Sequence, residues 1–256
     1  MGRLQGALSS LSAADLGGFA IAGALERSGI PPTDVDYVVL GQVLQAGAGQ
    51  NAARQAAIAG GLGMAIPALT INKVCLSGID AIALADQMIP AGEFDTVVAG
   101  GMESMSQAPH LLIDSREGKK YGDWTMIDAL AFDGLTCAFD ECAMGEATER
   151  YNDRYAVTRQ EQDAVAEASH RRAAAAQSAG ILAEEITPVR IPQRKGDDIV
   201  VTDDEGIRAE TTAESLGRLR PAFAPEGTIT AGNASQISDG AAALVVTSRA
   251  AAERLE

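Results

Sequence analysis

Ala68-Leu-Thr-Ile-Asn-Lys-Val-Cys-Leu-Ser-Gly-Ile-Asp-Ala-Ile-Ala-Leu-Ala-Asp-Gln-Met-Ile89 reads as a short β-strand that turns directly into a helix. From Gly78 to Ile89 only Asp80, Asp86 and Gln87 interrupt the apolar run, so the helix is expected to be buried on every side. Cys75 stands at its opening. A thiol there faces unpaired backbone N–H groups and the positive end of the helix dipole, a setting in which cysteines act as nucleophiles. Free cysteine is also among the most commonly buried residue types, so position alone leaves core packing open as a second reading.

Outward from this unit the same alternation recurs. Ser12 is expected to cap a helix with Asp15 in its first turn and Gly29 as its stop before Pro31-Pro32. Asp36-Tyr-Val-Val-Leu-Gly41 reads as a buried strand, Gln50 to Ile58 as an Ala-rich helix, and Asp95-Thr-Val-Val-Ala-Gly-Gly101 as a further strand. Helices alternating with apolar strands predict an α/β layered fold with a mainly parallel sheet and helices on both faces. Ligands of such sheets bind beyond the strand C-termini, where Cys75 and Gly100-Gly101 fall.

Residues 106–155 break into polar and Gly-containing stretches with little periodicity, too long for an ordinary connection. Thr158-Arg-Gln-Glu161 is a capping box opening a helix that runs to Gly180, and Thr211-Thr-Ala-Glu214 a second box opening a short one. Ile186–Ile191, Ile199–Thr202 and Ala243–Thr247 read as strands.

The composition is that of a soluble globular chain of 256 residues with 46% hydrophobic and 21% charged residues. A formal charge of −15 argues against nucleic-acid or anionic-membrane partners. Cys75, Cys137 and Cys142 show no metal-ligand spacing, and an odd count suits a reducing compartment. Without an apolar run long enough for a span or a secretory signal, the expected location is cytoplasmic.

Asn72-Lys-Val-Cys-Leu-Ser-Gly78, the helix after it and Asp95-Thr-Val-Val-Ala-Gly-Gly-Met-Glu-Ser-Met-Ser106 resemble the N-terminal half of the thiolases, the acetyl-CoA acetyltransferase family. A second block, Leu219-Arg-Pro-Ala-Phe223 with Gly227-Thr-Ile-Thr-Ala-Gly-Asn-Ala-Ser235 and Ser238-Asp-Gly-Ala-Ala242, resembles them too. The resemblance implies a thiolase-like fold and acylation of Cys75 during transfer between CoA thioesters. It places Ser235 beside the pantetheine arm, Arg208 near the CoA nucleotide, Ser215 near the adenine and Met144 in the acyl and pantetheine pocket. Each also has a structural reading: Ser235 a tight turn shared with Asn233, Arg208 an ion pair among Asp203, Asp204, Glu205 and Glu210, Met144 core filler. Ala143 stands where biosynthetic acetoacetyl-CoA thiolases commonly have histidine, which leaves the preferred acyl length open. His110 and His170, the only histidines, fall in no catalytic motif, and His170 reads as part of a solvated face.

A complete thiolase carries, in a second half of similar fold, a Gly-His-Pro histidine, a Cys-Xaa-Gly cysteine and an Asn-Glu-Ala-Phe stretch, none of which stands in this sequence. Residues 1–256 are accordingly expected to be an N-terminal thiolase domain, clipped at its start, with a loop insertion at about 106–225 and the C-terminal domain absent. The resemblance implies acyl-CoA substrates, a homodimer or homotetramer, and coenzyme A as substrate with no metal or redox cofactor. Turnover by the chain alone is not expected, since the family's acid/base groups lie in that second half. The other readings are a longer-chain 3-ketoacyl-CoA thiolase and a non-catalytic CoA-binding or dimerising module, which would hold CoA without an acyl adduct. The ketoacyl synthases share the fold, but their Asp-Thr-Ala-Cys-type context differs from Asn72-Lys-Val-Cys75.

Overall fold

The computed structural model describes residues 1–255; the last residue of the expected 1–256 span lies outside them. In chain order the elements are β1 (Gly2–Arg3), α1 (Ala13–Ser28), β2 (Tyr37–Gly41), α2 (Ala52–Ala59), β3 (Ala68–Ile71), α3 (Ser77–Met88), β4 (Thr96–Ser104), β5 (His110–Leu112) and β6 (Met126–Asp128). There follow α4 (Met144–Tyr155), α5 (Arg159–Ser178), β7 (Val189–Ile191), β8 (Ile199–Val201), α6 (Ala213–Gly217), β9 (Ser238–Thr247) and α7 (Arg249–Leu255). The chain divides into two compact units, one of residues 1–130, 187–202 and 238–256, the other of residues 131–186 and 203–237.

The first unit is built on a five-stranded sheet ordered β1-β9-β4-β2-β3. β2 pairs in parallel with β3 and β4, while β9 runs antiparallel to both β4 and β1, so the α/β fold has a mixed sheet. Successive side chains of a strand point to opposite faces, and both faces here are covered. Val38, Leu40 and Val98 pack on one side with Ile21 and Leu25 of α1 and Ala53, Ala56 and Ala57 of α2. Val39, Val97 and Ala99 pack on the other with Ala81 and Ala85 of α3. Helix ends follow the capping rules: Ser12 and Asp15 form a reciprocal capping box on α1, and Gly29 at φ +68° closes it in the left-handed conformation. Asn51 caps α2 and also ties it to β3, its Nδ2 donating to the Ala68 carbonyl at 2.8 Å.

Two expectations change here. Helix α3 is not buried all round: the sheet covers only the stripe of Ser77, Ala81 and Ala85, leaving Ile79 68% and Leu76 55% exposed. An all-apolar helix sequence reports the faces it wants covered, and this chain covers one of them. The stretch read as aperiodic before residue 155 contains helix α4, a strongly polar helix whose apolar residues Met144, Tyr151 and Tyr155 stay exposed.

The second unit holds α4, α5 and α6. Thr158 and Glu161 form the expected capping box on α5. On α6 the box sits one residue later than the sequence pattern suggests, with Thr212 as cap and Ser215, not Glu214, as its reciprocal partner. Among the described residues no helix is long and apolar enough to cross a membrane.

At the sheet's C-terminal edge, an ideal Cβ on Gly41 would lie 2.5 Å from the Ser77 Cβ and 2.6 Å from its carbonyl carbon. Gly41→Ala is therefore expected to push α3 off β2 and to cost about 1–3 kcal/mol, as overpacking does. Urea unfolding of the two proteins checks this; an unchanged midpoint would show that the helix start has room to move.

Candidate functional site

Cys75 lies in the five-residue turn, 72–76, between β3 and α3. The turn is held by short side chains. Asn72 Oδ1 accepts the Val74 N–H at 2.9 Å, while the buried Ser77 hydroxyl accepts the Lys73 N–H at 2.8 Å and donates to the Val74 carbonyl at 2.6 Å. Between these bonds Val74 adopts φ +50°, a left-handed conformation that a β-branched residue takes only when its surroundings impose it. Lys73 pairs with Asp80 across the first turn of α3. The result is a cysteine held out from the end of the sheet: Cys75 is exposed, Cys137 half-buried and Cys142 buried. Beneath the turn, Glu103 of β4 accepts the Val43 and Leu44 amides at 2.8 and 3.1 Å, fixing the chain as it leaves β2. Burial pushes the Glu103 carboxyl above its ordinary range, although these two amides pull the other way.

Met144, Arg208, Ser215 and Ser235 all belong to the second unit. There a cavity of about 460 Å³ opens between α5 and the loop 231–236, and it gathers Arg208, Ser235 and His170. The Arg208 N–H donates to His170 Nδ1 at 3.2 Å, so a neutral His170 carries its proton on Nε2. Among the described residues the Arg208 guanidinium makes no ion pair, despite the acidic residues around it in sequence. His170 is half-buried and lines the cavity, in contrast to the solvated face expected of it. Its neighbours Arg171 and Arg172 masked that position, because nothing local in the sequence shows which side of α5 meets the loop. Met144 is the first residue of α4 and 46% exposed; neither it nor Ser215 lines the cavity. The Ser215 hydroxyl accepts the Thr212 N–H at 3.1 Å and donates to the Thr212 carbonyl at 2.8 Å, a capping role that the sequence did not reveal. His110 sits in β5, opposite Asp128 of β6.

The loop that carries Ser235 is fixed by buried acids. Asn233 Oδ1 accepts the Thr230 N–H at 2.7 Å, and Asn233 Nδ2 donates to Asp163 at 2.9 Å. Asp163 is itself held by Arg159 at 2.7 Å, whose guanidinium also donates to the Leu216 and Leu219 carbonyls. Glu149 of α4 accepts the Thr228 and Ile229 amides at 2.8 and 2.7 Å and the Thr228 hydroxyl at 2.8 Å.

With this geometry in place, the fold and the Cys75 turn define the class. A family profile described as the thiolase N-terminal domain matches residues 1–250, and the chain belongs to that family. It is 61% identical over its whole length to a probable acetyl-CoA acetyltransferase of Mycolicibacterium smegmatis and 52% identical to an acetyl-CoA acetyltransferase of Thiocystis violacea. It covers 66% and 65% of those two relatives. The crystal structure of the Bacillus anthracis acetyl-CoA acetyltransferase superposes with a TM-score of 0.94 at 36% identity, over 99% of this chain and 64% of that one. The chain thus spans just under two thirds of the proteins it matches.

Burial pushes the Glu149 carboxyl up, but the Ile229 and Thr228 amides, the Thr228 hydroxyl and Asn152 outweigh it and hold the group below the ordinary glutamate value of 4.5. A carboxylate whose folded pKa lies below its unfolded one adds stability that is complete above 4.5 and fades as pH falls through the lower folded value. Glu149→Gln is expected to remove that acid-range loss while lowering stability near neutrality by roughly 1–3 kcal/mol, because amide donors lose a charged acceptor. Urea melts followed across the acid range test this, and an unaltered pH slope in the variant would overturn it.

Proposed function

We propose that this chain is the nucleophile-bearing part of an acyltransferase that moves acyl groups between CoA thioesters, an acetyl-CoA C-acetyltransferase. The observation that carries the reading is the exposed Cys75 in a turn fixed by Asn72 and Ser77, within a chain of the thiolase N-terminal family. In the degradative direction the Cys75 sulfur attacks the keto carbonyl of a 3-ketoacyl-CoA. The carbon–carbon bond breaks, its electron pair and the proton given up by the thiol end on the methyl of the departing acetyl-CoA, and the remaining acyl group stays on Cys75 as a thioester until the sulfur of free coenzyme A takes it and returns a proton to Cys75. In the other direction Cys75 holds an acetyl group that condenses with a second acetyl-CoA. Thioester exchange involves no net oxidation, so coenzyme A enters as a substrate and the reading calls for no redox cofactor. A reducing cytoplasm is the setting in which Cys75 stays a free thiol.

Support for CoA recognition comes from the second unit. Arg208 offers an unpaired guanidinium, the donor fork suited to phosphate, beside a cavity lined by Ser235. Ser215 and Met144 are proposed contacts on the family resemblance alone. Assembly as a dimer is supported by β3, an edge strand with Leu69 37% exposed, and by the uncovered apolar residues Val74, Leu76 and Ile79 of the following turn and helix. Sedimentation at micromolar concentration should show at least a dimer, and a persistent monomer would remove this part of the reading.

The central test uses the purified chain and acetyl-CoA. An acetyl-sized mass increase should appear on the peptide that begins at Val74, be absent from Cys75→Ala, and weaken in Arg208→Ala through poorer CoA binding. CoA bound at equilibrium with no adduct would favour the non-catalytic binding module instead. An adduct that survives in Cys75→Ala would remove Cys75 as the nucleophile.

A further inference from the structure

Cys137 and Cys142 occupy opposed backbone positions of a tight hairpin. Thr136 and Ala143 form an antiparallel bridge, which makes Cys137 and Cys142 the next opposed pair inward. The Cys137 N–H donates to the Cys142 carbonyl at 2.8 Å, and the Cys137 carbonyl accepts the Glu141 N–H at 2.9 Å. Glu141 sits at φ +51°, so the turn is a bulge with Glu141 as its left-handed extra residue and Cys142 directly opposite Cys137. Opposed residues of an antiparallel pair lie about 4.5–5.5 Å apart at Cα and share one face of the ladder. A disulfide spans Cα separations of roughly 4.4–6.8 Å.

We propose that Cys137 and Cys142 are a redox-active pair that closes into a reversible disulfide by exchange with a low-molecular-weight disulfide. This site is separate from Cys75 and does not rest on its acylation. The two thiols differ as attacking and resolving sulfurs should. Cys137 is half-buried and reachable, with its sulfur accepting the Asp140 N–H at 3.4 Å, whereas Cys142 is buried. The Cys137 sulfur attacks one sulfur of the small disulfide; a mixed disulfide forms, and the first small thiol leaves with the Cys137 proton. Rotation about the Cys137 Cα–Cβ bond, away from Asp140, then presents the mixed disulfide to Cys142. Its sulfur attacks that of Cys137, the second small thiol departs with the Cys142 proton, and the internal bond is complete. The protein loses two hydrogens and the oxidant becomes two thiols. Closure fixes the segment that leads through Ala143 into α4, so the entry to Met144 becomes rigid.

The test is the purified chain incubated with oxidised glutathione, quenched with N-ethylmaleimide and cleaved before aspartate. Cleavage before Asp140 separates the two cysteines, so a disulfide between them leaves both fragments joined until dithiothreitol is added. The expected result is that the joined pair becomes the main oxidised species, that Cys75 is not part of it, and that Cys142→Ser accumulates glutathione on Cys137. Fragments that separate without reductant, whether alkylated or carrying only glutathione, would overturn the proposal, as would a linkage that includes Cys75. The wild-type result alone decides the matter if Cys142→Ser fails to fold.

Discussion

The approach of α3 to the end of β2 and to Gly100-Gly101 of β4 is the contact on which the placement of Cys75 depends. Parallel pairing in register brings Gly41, Ile71 and Gly101 to one level at the sheet's edge. Only there can a helix start sit directly on the strand ends, and only if the strands carry no side chain at that point. Gly41 meets that condition, its missing Cβ occupied by the backbone and Cβ of Ser77. Ser77, once seated, has its hydroxyl aimed back at Lys73 and Val74, so packing between helix and strand and the shape of the turn become one constraint. The left-handed Val74 is then imposed from both sides, by Asn72 before it and Ser77 after it. Strain of this kind persists only where neighbours over-determine it.

The second unit solves a similar problem with different chemistry. Its helices are poor in apolar residues, and its loop 228–236 is fixed by buried carboxylates: Glu149 takes backbone amides directly, and Asp163 reaches the loop through Asn233. Satisfied charge at a backbone is strong and directional, but it becomes a weakness when the acid is protonated. The first unit rests on a core of Val, Ile, Leu and Ala and keeps its buried carboxylates to single tethers, Glu103 on the Val43 and Leu44 amides and Asp239 on the Ser106 amide and hydroxyl.

These two strategies explain what could be read in advance. The α1 cap at Ser12, its stop at Gly29, the strand expected at 36–41 and the box at Thr158 all follow from local rules and stand within a residue of where those rules put them, while the strand expected at 95–101 runs on to Ser104. Helix α4 is hard to read because its few apolar residues, Met144, Ala147, Tyr151 and Tyr155, are set in a strongly polar sequence; what it buries is Glu149, and a buried acid looks like a surface one until its partners at 228–229 are known. His170 was passed over for the same reason, since its partner Arg208 is 38 residues away. The exposed side of α3 could not have been foreseen either: hydrophobicity tells which surface seeks a partner, not whether this chain supplies it.

Helix caps sharpen the functional reading. Helices α1, α2, α5 and α6 each have a side chain accepting from their first amides, namely Ser12, Asn51, Thr158 and Thr212. Helices α3 and α4 do not; their cap positions are Leu76 and Ala143, which carry no acceptor. Capping side chains stabilise a helix by roughly 1 kcal/mol, so their absence forgoes an available gain. The two uncapped starts are the ones beside Cys75 and at Met144, the residues proposed to meet the acyl group. In α3 the Leu76 and Ser77 amides already donate to the Lys73 and Val74 carbonyls, so what the missing cap leaves for an oxygen that arrives from outside is the positive end of the dipole and the amides that follow Ser77, as a thioester carbonyl gaining charge under attack by sulfur would require. The turn exposes Cys75, the proposed nucleophile, and the missing cap acceptor leaves the helix dipole beside it; removal of a proton is a separate task that neither feature performs.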